Sequence, residues 1–335
     1  TAVSGMPSLK LAIVKKFKNE NDLHFSTDEV IVGVGGKQCI FNLCVAILEP
    51  DDEVIIPAPY WVSYADIIQL TGAKSVIVQC GIEQSFKITP NQLSSAISDN
   101  TKLIFLNSPS NPTGAVYSKK ELRDLADILL DHPHVIIGTD DIYEHISLDE
   151  TPFHNILMIE PKLKNRVIVL NGVSKAYSMT GWRIGYAAGP KEIIKAMGKL
   201  QSQSTSNPTS ISQVAAEAAL RGNQDCIKPM VIAFKERHTF VLRALNDIEG
   251  IKCIPASGAF YAFVDARSAI ESLFKKNKIS SPDDLAFSAF LLEDTGVAVV
   301  PGSAFGSEGY FRISFATSME NLVEALRRIK KAIEG

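Results

Sequence analysis

The sequence predicts an α/β protein built on a largely parallel sheet, followed by a smaller C-terminal α+β domain. Three observations carry this expectation. Short Val- and Ile-rich runs recur between amphipathic segments, and several are apolar on consecutive residues, as in strands buried on both faces. Beyond about Asp225 the pattern gives way to one long helical stretch and then to mixed strand and helix segments. A chain of 335 residues also exceeds the usual domain size of about 100 to 200, which leaves room for two cores. The expected division is a large domain over 1–230 and a small one over 231–335.

In chain order, the strand-length runs are Glu29 to Val34, Glu53 to Pro57, Ser75 to Gln79, Lys102 to Leu106, His134 to Thr139, Arg166 to Leu170 and Ile184 to Ala188. Between them, Thr89-Pro90 supplies an N-cap and a Pro at the first helical position. Ser118 with Glu121 forms a capping box ahead of Leu122, Leu125, Ile128 and Leu129, which share one helical face. The long helix runs through Val241 and Leu245. After it come Ala259 to Val264, Leu285 to Leu292, Val297 to Val300, Phe311 to Phe315 and a final helix from about Met319.

Composition narrows the class of function. Lys and Arg number 34 against 37 Asp and Glu, a net charge of −3 with mixed signs, which argues against nucleic acid or an anionic membrane as the main partner. Cys39, Cys44, Cys80, Cys226 and Cys253 are odd in number and without a C-x-x-C pair, so neither a disulfide framework nor a zinc site is expected. A reducing, cytoplasmic setting follows. No run approaches the roughly 20 apolar residues of a membrane span. A small-molecule enzyme is the default reading.

Five segments could carry its chemistry. Gly33-Val34-Gly35-Gly36-Lys37-Gln38 joins a strand to a helix, where unpaired N–H groups can hold a phosphate, although neither the P-loop nor the dinucleotide fingerprint matches. Ser108-Pro109-Ser110-Asn111-Pro112-Thr113-Gly114 makes a rigid loop at a strand's carboxyl end, where α/β sheets bind ligands. Asp140 and Asp141 follow an apolar strand, where a carboxylate is costly unless it is paired. Lys175 follows another strand, where desolvation can lower its pKa as a Schiff-base lysine requires. Arg312 interrupts the apolar run Phe311 to Phe315, and its forked donors suit a carboxylate. Each segment taken alone is open to a plainer reading: a turn, an N-cap, a solvated lysine or a rim charge. Together they supply a phosphate cradle, an acid, a nucleophile and a carboxylate clamp, the needs of pyridoxal phosphate acting on an amino acid.

On SPSNPTGAVY, DDIYEH, SKAYSMTGWRIGY and FRISFATS, the sequence resembles the class I pyridoxal-phosphate aminotransferases, fold type I, and most of all their bacterial branch with Gly-Gly-Lys-Gln at the phosphate loop. That resemblance implies a large, mostly parallel seven-stranded sheet domain and a smaller C-terminal domain. It implies Lys175 as the Schiff-base lysine and proton carrier, Asp140 as partner of the pyridine nitrogen, and Tyr143 with Asn111 on the ring's 3′-oxygen. Arg183, Ser174, Gln38 and the N–H groups of Gly36 and Lys37 are implied at the phosphate, Trp61 on the ring, and Arg312 on the substrate α-carboxylate. Lys37, with Ser202 of the partner subunit in a homodimer, is implied at a distal carboxylate, with Trp61 and Asn111 also facing substrate. Cis peptides are implied at Asn111-Pro112 and Ala58-Pro59.

The implied reaction is aspartate with 2-oxoglutarate, by ping-pong half-reactions. Alternatives on the same scaffold are transamination of prephenate, aromatic amino acids or alanine, a β-lyase, or a binding module without catalysis. Two departures from the family pattern stand out. Gly172 occupies the position three before the lysine where relatives often carry a phosphate-binding Ser or Thr. The similarity also begins inside the family sequence, so an N-terminal arm, a Gly loop over the substrate and a Tyr donated to the neighbour's phosphate are expected to lie outside these residues.

Overall fold

The computed structural model describes residues 1–335. Seven strands, β1 (Val30–Val34), β2 (Glu53–Ala58), β3 (Lys74–Gln79), β4 (Thr101–Asn107), β5 (Ile136–Asp140), β6 (Val167–Gly172) and β7 (Ile184–Ala188), form one sheet in the order β1-β7-β6-β5-β4-β2-β3. The runs expected from sequence are all present, within a residue or two at their ends. Pairing is parallel from β3 across to β6, whereas β7 is antiparallel to both β6 and β1.

Burial on both faces explains the consecutive apolar residues. Ile104 and Leu106 of β4 and Val167 and Val169 of β6 enter the core on one face. Leu103, Phe105, Ile168 and Leu170 enter the core on the other. Each such side chain, fully buried, contributes roughly 1.5–3 kcal/mol. Only the edge strand β3 alternates, with Ile77 left 43% exposed.

Helices α1 (Pro7–Asn21), α2 (Gly36–Ile47), α3 (Ser63–Thr71), α4 (Pro90–Ala96), α5 (Lys119–Leu130), α6 (Ile156–Ile159), α7 (Lys191–Ser204) and α8 (Ser210–Arg221) accompany this sheet. The expected N-cap at Thr89 and capping box at Ser118 both form: Thr89 Oγ1 accepts from Gln92 N at 3.3 Å, and Ser118 Oγ accepts from Glu121 N at 3.3 Å. The long helix is α9 (Ile227–Asn246), whose Phe234, Val241 and Leu245 enter a separate core.

That second core lies on a four-stranded sheet in the order β10 (Val300–Pro301), β11 (Tyr310–Ser314), β9 (Tyr261–Asp265) and β8 (Lys252–Cys253), antiparallel throughout. Helices α10 (Arg267–Lys275), α11 (Asp284–Thr295) and α12 (Met319–Glu334) pack with it. The run Leu285 to Leu292, ambiguous in sequence, lies within α11, which Asp283 caps by accepting from Ala286 N at 2.7 Å and Gly296 ends in the left-handed conformation. Tyr143, Ile146 and Leu148, from the loop after β5, also enter the second core and so tie the two sheets together. No helix is long and apolar enough to cross a membrane.

Candidate active site

The neighbouring parallel strands β4 and β5 end in register on polar residues. Asn107 of β4 stands opposite Asp140 of β5, and Asp140 opposite Leu170 of β6. Asn107 Nδ2 donates to the Asp140 carbonyl at 2.8 Å, and Asn107 Oδ1 accepts from Asn111 N at 2.8 Å, so one side chain fixes both the strand end and the following loop. In that loop and its neighbour, Ala58-Pro59, Ser108-Pro109 and Asn111-Pro112 are cis; the bond at Ser108-Pro109 was not among those expected.

Above these ends lies a cavity of about 330 Å³. Gly36, Lys37, Trp61, Asn111, Asp140, Tyr143, Ser174, Lys175, Arg183 and Arg312 all line it. Two of the expected residues do not. Gln38 is turned away: its Oε1 accepts from Val34 N at 2.5 Å and its Nε2 donates to Thr205 Oγ1 at 2.5 Å, so it ties the strand end to the end of α7. Ser202 is exposed on α7 and donates to the Lys199 carbonyl at 2.7 Å, outside the cavity of its own chain.

At one end the first N–H groups of α2 have no helical partner, which makes an anion site. Gly35 stands just before them at φ 80°, and a Cβ there would lie 2.3 Å from Arg183 Nη2. Glycine is thus what lets the Arg183 guanidinium reach this helix start. Arg183 Nη1 donates to the Thr180 carbonyl at 2.8 Å, which orients the group. Gly172 has a steric reason of its own, because a Cβ would lie 2.9 Å from the Ile184 carbonyl and 3.0 Å from Gly185 Cα. Ser174, buried, and Thr180 are the serine and threonine that line the cavity.

Opposite lies Asp140, buried and accepting from Tyr64 Oη at 2.7 Å and Ile142 N at 3.3 Å. Burial pushes its carboxyl above the ordinary range, against the pull of Tyr64, Ile142 and the Lys175 charge. A cation on the cavity side would relieve that cost. Tyr64, stacked on Phe105 at 4.6 Å, has no distinguishing mark in the sequence and emerges only from the fold.

Between the two ends, Lys175 Nζ has no hydrogen-bond or ion-pair partner in the chain and lies 5.6 Å from the Tyr143 ring and 5.5 Å from the Phe260 ring. Burial lowers its pKa first, and the charges of Arg312 and Arg183 lower it further, while Asp140 opposes them. A free, desolvated amine of this kind is a nucleophile. Arg312 lies over the rings of Tyr261 at 4.4 Å and Phe305 at 5.0 Å and donates to Asn111 Oδ1 at 2.7 Å. Its Nη1 is taken by Asn111 and its Nε is buried without a partner, whereas its Nη2 makes no hydrogen bond within the chain and is the donor left for an incoming anion. Lys37 Nζ stands 5.1 Å over the Trp61 ring at the cavity's outer edge.

The arrangement fits pyridoxal phosphate: an anion cradle, a buried carboxyl suited to a protonated ring nitrogen, a flat aromatic wall and a free lysine. Sequence reasoning did not single out Asn107, Asn171, Tyr64 or Tyr261. The first two carried a readable mark, an amide ending an apolar strand.

A family model for aminotransferases of class I and II matches residues 1–329. The aspartate/prephenate aminotransferase of Nitrosomonas europaea is 57% identical over 98% of this chain and 83% of its own length. Among solved structures, the aspartate aminotransferase of Rhizobium meliloti superposes with a TM-score of 0.94 at 48% identity, covering 100% of this chain and 83% of that one. That of Thermus thermophilus with maleate superposes at 0.90 with 41% identity, over 99% and 83% respectively.

Proposed function

Because this chain belongs to the class I and II aminotransferases, enzymes that use pyridoxal 5′-phosphate, we propose that it transfers the amino group of aspartate to 2-oxoglutarate by ping-pong half-reactions. The observation that carries the reading is one cavity holding an unpaired lysine, Lys175, between a buried acid, Asp140, and an arginine with a free donor, Arg312. A pure binding module has no need of that lysine.

Bound there, pyridoxal phosphate supplies an electrophilic carbon and a ring that accepts electrons from the substrate's Cα. The chain's own residues do the rest. Gly36 and Lys37 N–H groups, Ser174 and Arg183 hold the phosphate, and Trp61 covers the ring. Asp140 keeps a proton on the ring nitrogen, with Tyr64 fixing its carboxylate. Arg312 binds the substrate α-carboxylate, which orients the Cα–H bond toward Lys175 Nζ, the group that removes the proton and returns it. Asn111 Nδ2 and Tyr143 Oη serve the ring oxygen, since Asn111 Oδ1 is taken by Arg312.

Lys37, with Ser202 of the partner subunit in a shared-site homodimer, receives the distal carboxylate. A dicarboxylate reading is supported by the maleate named with the Thermus thermophilus enzyme. The Nitrosomonas europaea relative's name extends the reading to prephenate, which also carries two carboxylates. A large domain over 1–230, a small one over 231–335 and a cytoplasmic setting complete the proposal.

Adding aspartate to the pyridoxal-phosphate form should bleach its visible band, and Lys175→Ala should abolish turnover. Lys37→Ala should raise the KM for aspartate about tenfold, the loss of one charge-assisted contact, and leave alanine unaffected. Bleaching by alanine or tyrosine but not by aspartate would remove the dicarboxylate assignment. Absence of a visible band would remove the enzyme itself.

A further inference from the structure

The geometry points to Tyr261 as a positioning residue that couples the carboxylate clamp Arg312 to Tyr143, an inference that rests on the function proposed above. Tyr261 opens β9, next to β11, and its side chain makes two contacts of different kinds. Its ring lies 4.4 Å beneath the Arg312 guanidinium, and its hydroxyl is 2.8 Å from Tyr143 Oη. The rings of Tyr143 and Tyr261 meet edge to face at 5.8 Å, so the hydroxyl contact is held by packing as well as by polarity.

Its place in the fold makes this pair consequential. Tyr143 comes from the loop after β5 of the seven-stranded sheet, and Tyr261 and Arg312 come from the four-stranded sheet. At the cavity, the direct side-chain hydrogen bonds between the two sheets are Tyr143 with Tyr261 and Arg312 with Asn111. All four residues are therefore set by how the sheets sit together. Movement of Arg312 onto a substrate carboxylate is transmitted through the Tyr261 ring to the Tyr143 hydroxyl.

Direction follows from proton counting. Each phenol has one proton, and burial keeps both groups neutral. When the Tyr143 hydroxyl donates its hydrogen bond to an anionic ring oxygen, its own oxygen can only accept from Tyr261. That second bond polarises the Tyr143 O–H and strengthens its donation. Tyr261 thus tunes Tyr143 without touching the ring oxygen, and supports Arg312 through its face.

The two contacts separate by mutation. Tyr261→Phe keeps the ring under Arg312 and removes only the hydroxyl. It should shift the pH midpoint of the pyridoxal-phosphate visible band upward by about 0.5–1 pH unit, because the oxygen's anionic form loses support, with the KM for aspartate within about twofold. Tyr261→Leu should also raise that KM, by roughly three- to tenfold. In a Tyr143→Phe background, Tyr261→Phe should no longer move the midpoint. An unchanged midpoint in the single variant, or a shift that persists without the Tyr143 hydroxyl, overturns the inference while the function stands. A wild-type protein with no visible band overturns the function, and this inference with it. Circular dichroism of the variants checks that each is folded.

Discussion

Replacing Lys16 by Met tests how the helix α1 holds the active-site loop. The Lys16 side chain is 1% exposed, contacts Glu144 Oε1 directly and donates to Asn21 Oδ1 at 2.8 Å. Glu144, 4% exposed, also accepts from Asn21 Nδ2 at 2.8 Å and Asn171 Nδ2 at 2.6 Å. The network therefore joins α1 to the residue after Tyr143 and to Asn171 in the cavity wall. Removing one member of a buried pair strands the other charge, at about 3–5 kcal/mol. Two amide donors remain for Glu144, so the lower end, about 3 kcal/mol, is expected. At roughly 2–4 °C per kcal/mol for a unit of this size, the melting temperature should fall by roughly 6–12 °C.

The pH dependence gives an independent check. Burial raises the Glu144 carboxyl, but the Lys16 and His145 charges and the Asn21 bond outweigh it, and the folded pKa lies below its ordinary value. A depressed folded pKa stabilises above the unfolded value of about 4.3, and that contribution is lost as pH falls through the folded value. Without Lys16, the carboxyl rises instead. The gap between the two proteins should then be widest near neutral pH and narrow toward pH 4. Adding Glu144→Gln to Lys16→Met should recover at least half the loss. Calorimetric scans at pH 7.5 and 4.5 read all three; a loss below about 1 kcal/mol, or a gap that ignores pH, refutes the reasoning.

Two further substitutions probe the site. Gly35→Ala places a Cβ against Arg183 Nη2 at a backbone of φ 80°. Pyridoxal-phosphate affinity should fall at least about tenfold, or 1.4 kcal/mol, in an absorbance titration, and unchanged affinity would separate Arg183 from the phosphate. Tyr64→Phe removes the 2.7 Å donor to Asp140, a bond to a charged group worth about 1.5–3 kcal/mol. The Asp140 carboxyl should rise further, so the acid limb of the kcat profile should move to higher pH; a fixed limb would exclude Tyr64 from that role.

Much of the fold was legible because its causes are local. Consecutive apolar residues at Ile104 to Leu106 and Val167 to Leu170 announce strands with two covered faces, and Thr89, Ser118 and their partners mark helix starts by side-chain chemistry alone. The antiparallel placement of β7 was not legible. Hydrophobicity does not encode strand direction where both faces are buried. Gln38 lies outside the cavity lining for a related reason: adjacency to Lys37 does not fix which way a side chain at a helix start turns, and here the Val34 N–H and Thr205 hold it.

By itself the sequence determined the class of chemistry, since Lys175, Asp140, Arg183 and Arg312 are residue types the reaction requires and lie in segments that end or interrupt strands. Tertiary structure alone decided which groups those residues meet. Tyr64 and Asp140 lie 76 positions apart, Tyr143 and Tyr261 118, and Asn111 and Arg312 201. Such contacts arise from strand order and from the seating of one sheet on the other. Those depend on burial summed over the whole chain rather than on any local pattern, and they are what bring an unpaired lysine, a buried acid and an open arginine donor into one cavity.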